Sequence, residues 1–193
     1  MARETGRPLR ADARRNREKI LAAAVRVFTE DGLGAHLERV AKEAGVGTGT
    51  LYRNFPTRED LIEAAHRNEV ARLCDAAPGL LAASPPPEAM RSWMHRFLDY
   101  ATAKKGMAEA LRSLAATGAD PYGSSHEMIQ AAVTKLLEAG VESGDFRSDF
   151  RPGDLFAALA GIALTSAGPG QRAQAERLVE LTLAGLTSPR PPA

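Results

Sequence analysis

Cysteine occurs once in the 193 residues, at Cys74. That excludes an internal disulfide and any zinc site built from several cysteines, and it suits a reducing compartment. Val70 and Leu73 flank it at helical spacing, so it reads as an ordinary buried thiol. Aromatic residues make up only 5%. Neither sign of charge dominates: 25 basic residues face 24 acidic ones, for a net charge of +1. The chain is therefore no polybasic nucleic-acid coat, and any affinity for polyanions must come from local charge. Long apolar runs are missing too. The most apolar window, 155–164, is about half of the ~20 residues a membrane span needs. The first residues lack the apolar segment of a secretion signal, so a soluble, cytoplasmic protein is expected, with no membrane partner. The four histidines, at 36, 66, 95 and 126, show no pair at metal-ligand spacing. No alternating run supports a strand, and no internal repeat is visible.

What is present reads as helix throughout, with hydrophobic content of 44%, ample for a packed core. Residues 1–19 carry seven basic residues (Arg3, Arg7, Arg10, Arg14, Arg15, Arg17, Lys19) against Glu4, Asp12 and Glu18. This basic arm is either a solvated tail or a segment that touches phosphates. It runs into a helix over 12–29 striped by Ile20, Leu21, Ala24, Val27 and Phe28, and stopped at Asp31-Gly32-Leu33-Gly34.

The stretch 37–55, LERVAKEAGVGTGTLYRNF, organises the rest. Leu37, Val40, Ala41 and Ala44 recur at i, i+3, i+4 and i+7, giving a short helix one apolar face. Gly45 stands where a helix end often takes φ > 0, and Val46 follows as an apolar anchor. Leu51 and Phe55 then give a second short helix its inward face, while Thr48, Tyr52, Arg53 and Asn54 stand on the other. Two short helices around a glycine turn are the sequence form of a helix-turn-helix. Thr57 caps the next helix, with Glu59 and Asp60 in its first turn. Pro78-Gly79 and then Ser84-Pro85-Pro86-Pro87 interrupt the chain. The expected domains are thus the arm at 1–19, a helix-turn-helix domain at 12–57, a connecting helix at 58–77 and a C-terminal domain at 78–193. Further helices are expected over 88–103, 107–116, 125–142, 152–166 and 171–186, about nine in all.

Other motifs are incomplete. The run 45–49, GVGTG, lacks the preceding strand and the G-K-[ST] ending of a phosphate-binding loop. His126-Glu127 begins like a zinc-protease motif, but Gln130 stands where the second histidine is needed. No nucleophile elbow or kinase motif occurs. Neither an enzyme nor a cofactor or metal is expected.

The segment 20–65, with its AGV turn and TLYRNFPTRE block, resembles the N-terminal DNA-binding domain of TetR-family transcriptional regulators. The resemblance covers roughly a quarter of the chain. It implies an all-α fold in which the remaining helices bind a ligand and dimerise. It also implies a homodimer on a palindromic double-stranded DNA operator, repressing until a small molecule releases it. Carried onto matching positions, it makes Thr48, Gly49, Thr50, Tyr52, Arg53, Asn54 and Arg58 the DNA-contacting set. Tyr52 and Arg58 would hold phosphates, while Thr48, Thr50 and Arg53 would approach base edges. His36 departs from the family's usual Ser or Thr cap, and Asn54 from a frequent histidine.

In the C-terminal half, Trp93, Met94, Phe97, Tyr100, Met107, Leu111 and Met128 read either as core or as the lining of a pocket for a mainly apolar or aromatic effector. On the last two helices, Leu155, Leu159, Ile162, Leu178, Leu181 and Thr182 are the expected dimer face, with small residues such as Ala158, Ala163 and Ala184 allowing close approach. Two rival functions remain: a constitutive DNA-binding protein without effector response, and a helical enzyme with an unrecognised site.

Overall fold

The computed structural model describes residues 6–116, 118, 120–166 and 170–187, without the side chains of 6–11 and Leu33. It is all-α, with no strand among the described residues. The helices are α1 (Gly6–Asp31), α2 (Leu37–Ala44), α3 (Thr48–Asn54), α4 (Arg58–Ala83), α5 (Pro86–Ala116), α6 (Ser125–Glu142), α7 (Pro152–Thr165) and α8 (Arg172–Thr187). A single 3₁₀ turn, Gly32–Gly34, follows α1. Arg3 and Glu4 of the expected arm lie outside the described residues; from Gly6 on, the backbone of the arm is already helical.

The sequence predicts two breaks that the structure does not contain. Pro78 lies inside α4 on its exposed side, and the helix continues to Ala83 because Ala77, Leu80 and Leu81 keep packing inward. The other expected break, at Ser84-Pro85-Pro86-Pro87, is present: α4 ends at Ala83 and Pro86 opens α5, where a missing N–H costs nothing. The expected helices 88–103 and 107–116 are one, so eight α-helices rather than nine are described. Gly106 would ordinarily weaken α5 by about 1 kcal/mol relative to alanine. Here it lets α5 approach α1: a Cβ at this position would lie 2.5 Å from Thr29 Cα and 2.7 Å from the Phe28 carbonyl oxygen.

The chain forms two compact units, Met1–Asn68 with Ala103–Pro121, and Glu69–Thr102 with Tyr122–Ala193. This differs from the expected division near residue 78, because α4 and α5 each pass from one unit into the other. In the first unit, Ile20, Ala24, Val27 and Phe28 of α1 are buried with Val40, Ala41, Leu51, Phe55, Leu61 and Ile62. In the second, Trp93 anchors the core, its indole N–H donating to the Leu73 carbonyl at 2.9 Å.

Helices α7 and α8 bury three of the six residues expected at the dimer face. Leu155, Leu159 and Ile162 are buried inside the chain's own second unit, packed with Val179, Leu183 and Leu186. Leu178 is partly buried against that core, and the Thr182 hydroxyl donates back to the Leu178 carbonyl at 2.8 Å. The large apolar residues that point outward are Leu164, 80% exposed, and Leu181, 69% exposed. No described helix is long and apolar enough to cross a membrane.

Candidate nucleic-acid interface

Local geometry builds this site first. Gly45 ends α2 at φ +67°, a conformation that suits glycine. Its N–H donates to the Lys42 carbonyl at 3.1 Å, and the Val46 N–H reaches back to the Ala41 carbonyl at 3.0 Å. This double closure satisfies carbonyls that the end of α2 would otherwise leave open. Gly47 caps α3, accepting from the Thr50 N–H at 2.9 Å. Leu51 and Phe55 fix the rotation of α3 by burying their side chains completely or nearly so.

That rotation leaves Thr48, Gly49, Tyr52 and Arg53 exposed, with Thr50 half-buried beside them. Tyr52, 43% exposed, is a large ring displayed to solvent. Helix α3 contains no acidic residue, so hydroxyl, phenol and guanidinium donors share one face. Such a set can reach both phosphate oxygens and base edges. On α2, Arg39 pairs with Glu30 and Asp31, and Glu43 pairs with Arg26 of α1. His36 begins α2 without a side-chain cap bond.

Two residues of the expected contact set bond within the chain. The Asn54 side-chain amide donates to the Thr50 carbonyl at 2.8 Å, closing the end of α3 on itself. The Arg58 guanidinium donates to the Ala35 carbonyl and, at 3.3 Å, to that of Gly32, with its carbon 5.0 Å from the centre of the Phe28 ring. Both side chains donate to protein carbonyls. The cap at the start of α4 is reciprocal: the Thr57 and Asp60 side chains each accept the other's backbone N–H at 3.0 Å.

Arg17 of α1 lies over the Phe55 ring at 4.5 Å and borders an open groove of about 600 Å³ with Asn54, Pro56, Asp60 and Arg67. Its sequence signal was only its place in the basic arm. His66, fully buried, lies with Nδ1 3.1 Å from the Pro121 carbonyl oxygen; burial, with Lys104 nearby, lowers its pKa.

The expected pocket residues belong to both units. Met107 and Leu111 are buried in the first unit, because α5 has crossed into it by then. Trp93, Met94, Phe97 and Tyr100 are buried in the second, where Trp93–Phe97 and Phe97–Tyr100 ring centres are each 5.9 Å apart. Met128 is 38% exposed and outside that core. Phe156 of α7, not foreseen, meets Phe97 edge-on at 6.1 Å. Burial pushes the Tyr100 hydroxyl up to about 12 and the Cys74 thiol up to about 11, so Cys74 stays protonated at neutral pH. No group of three or more metal-ligating side chains is found among the described residues.

Comparison with known proteins covers most of the chain. Residues 20–65 match the family described as bacterial regulatory proteins, tetR family, and residues 85–188 match the SbtR-like transcriptional regulator C-terminal domain. A TetR transcriptional regulator from Streptomyces coelicolor is 68% identical, with 92% of this chain and 99% of that one covered at a TM-score of 0.86. A TetR transcription regulatory protein from Mycobacterium vanbaalenii is 33% identical, covering 94% and 100%, at a TM-score of 0.76. LfrR from Mycobacterium smegmatis, solved in complex with proflavine, shares the fold at 22% identity, covering 93% and 98%, with a TM-score of 0.63. Among curated proteins, an HTH-type transcriptional regulator of Staphylococcus aureus is 44% identical over 54 residues, 28% of this chain. The chain spans only 29% of the length of that relative.

Proposed function

Because this chain belongs to the TetR family of DNA-binding transcriptional regulators, which are not enzymes, we propose that it is a homodimeric repressor released from a palindromic operator by a small molecule. The observation that carries this reading is the outward face of α3, where Thr48, Thr50, Tyr52 and Arg53 stand together without an acidic neighbour. Tyr52 lays its ring along the DNA backbone and gives its hydroxyl to a phosphate. Arg53 pairs with a guanine edge, for which its planar fork is shaped. Thr48 and Thr50 contribute shorter hydroxyls, and Gly49 lets the backbone come close.

The effector is apolar or aromatic, taken beside the α5 rings of the second unit, Trp93, Phe97 and Tyr100. Supporting this are the ring cluster and the scarcity of charge within that core. Effector binding shifts the separation of the two α3 helices, so that half-sites about 34–36 Å apart, or a multiple, are no longer matched.

The test is footprinting on DNA flanking the coding sequence, followed by titration of apolar and aromatic compounds, with proflavine as the first probe. Protection of a palindrome that a ligand abolishes is expected. Binding without preference over competitor DNA would refute the reading, and protection that no ligand of this class relieves would leave a constitutive binder.

A further inference from the structure

Arg58 opens α4, where a cation faces the positive end of the helix dipole and is disfavoured. Its neighbours Glu59 and Asp60 suit that place; Arg58 does not. What holds it is the turn between α1 and α2. Its guanidinium spans the Gly32 and Ala35 carbonyls while its plane covers buried Phe28. The Gly32 carbonyl also accepts the Ala35 N–H at 3.3 Å, so a single turn is tied both internally and to α4. His36 adds no side-chain cap to α2. Beside the buried packing of Val40 and Ala41, the other polar ties of α2, from Arg26 and from Arg39, are exposed ion pairs, which contribute little. A half-buried, charge-assisted pair of bonds is the stronger link.

We propose that Arg58 is a positioning residue for DNA recognition: it clasps the α1–α2 turn to the start of α4 and thereby sets the angle at which α2 and α3 meet the operator. It is not itself a phosphate ligand. Two carbonyls require the fork of an arginine, and the compact ammonium of a lysine cannot span them equally. This inference rests on the operator-binding reading above.

The experiment compares wild type with R58K, R58Q and R58A. Melting is recorded first, and operator affinity is then measured well below each Tm between 50 and 200 mM salt, the range over which phosphate contacts reveal themselves. All three variants are expected to lose on the order of tenfold in affinity, with the slope of log K against log salt unchanged. R58K binding like wild type, with R58Q shallower in slope by about one, would make Arg58 a phosphate ligand and overturn the proposal. A lower Tm with wild-type affinity in the folded protein would make it merely structural and overturn it too. Amide exchange over residues 32–40, without DNA, should quicken in R58K and R58Q; unchanged exchange would also overturn the clasp. If wild type shows no operator preference, the functional reading fails, and the exchange result alone decides whether the clasp exists.

Discussion

Tyr52 and Arg53 are neighbours on the outward face of α3, and the proposed function gives them different work. Tyr52→Ala should weaken binding about equally on operator and non-operator DNA, because a phosphate contact carries no sequence information. Arg53→Ala should instead relax preference at one base pair per half-site, at a cost of about 1–3 kcal/mol on the preferred sequence. Competition binding against a set of single-base operator variants checks both. Equal losses across all sequences for Arg53 would move it to the phosphate class. At this scale, legibility followed the range of the interaction. Gly45 and Thr57 act within one turn of their own position, and Leu51 and Phe55 mark an inward face by their spacing, so these roles were readable. Arg58 was not readable, because the carbonyls that hold it lie 23 and 26 residues earlier in the chain. Asn54 bonds only four residues back, but nothing in a sequence tells whether a helix-end amide turns to its own backbone or outward.

Among the elements, α7 shows where pattern fails. It is rich in Leu, Ala and Gly on every side, and a helix apolar all round has no readable phase. Leu155, Leu159 and Ile162, spaced at i, i+4 and i+7, share one stripe as well as any rival set; the fold uses that stripe for its own core. The outward stripe includes Ala157, Ala158, Gly161 and Leu164, and on α8 it includes Leu181 and Ala184. Small residues around two exposed leucines suit close helix packing between copies, so the proposed dimer face moves to this side. Leu164→Glu with Leu181→Glu should raise the dimer dissociation constant on the order of a hundredfold or more, by burying unpaired carboxylates. Sedimentation equilibrium reads the mass, and far-ultraviolet circular dichroism should stay at the wild-type level. An undiminished dimer would remove these residues from the interface. Similarly, α4 and α5 outlast Pro78 and Gly106 because packing outweighs local propensity at those points.

For the whole molecule, the net charge of +1 means that DNA affinity cannot arise from bulk attraction. It must come from a small surface presented in the right geometry, and in the proposed account presented twice. The all-α class and the helix-turn-helix were legible because short amphipathic periods and glycine turns are local properties. The division into two units was not, since α4 and α5 serve both and no composition shift marks where a helix changes company. The central claim is that a dimer reads two half-sites held at fixed spacing. Affinity should therefore be measured on operators whose half-sites are separated by an additional five base pairs, about half a helical turn, and by a full turn. The half-turn insertion should reduce binding to the level of a single half-site, because the second α3 then faces the wrong side of the duplex. Full affinity on the half-turn operator would contradict it.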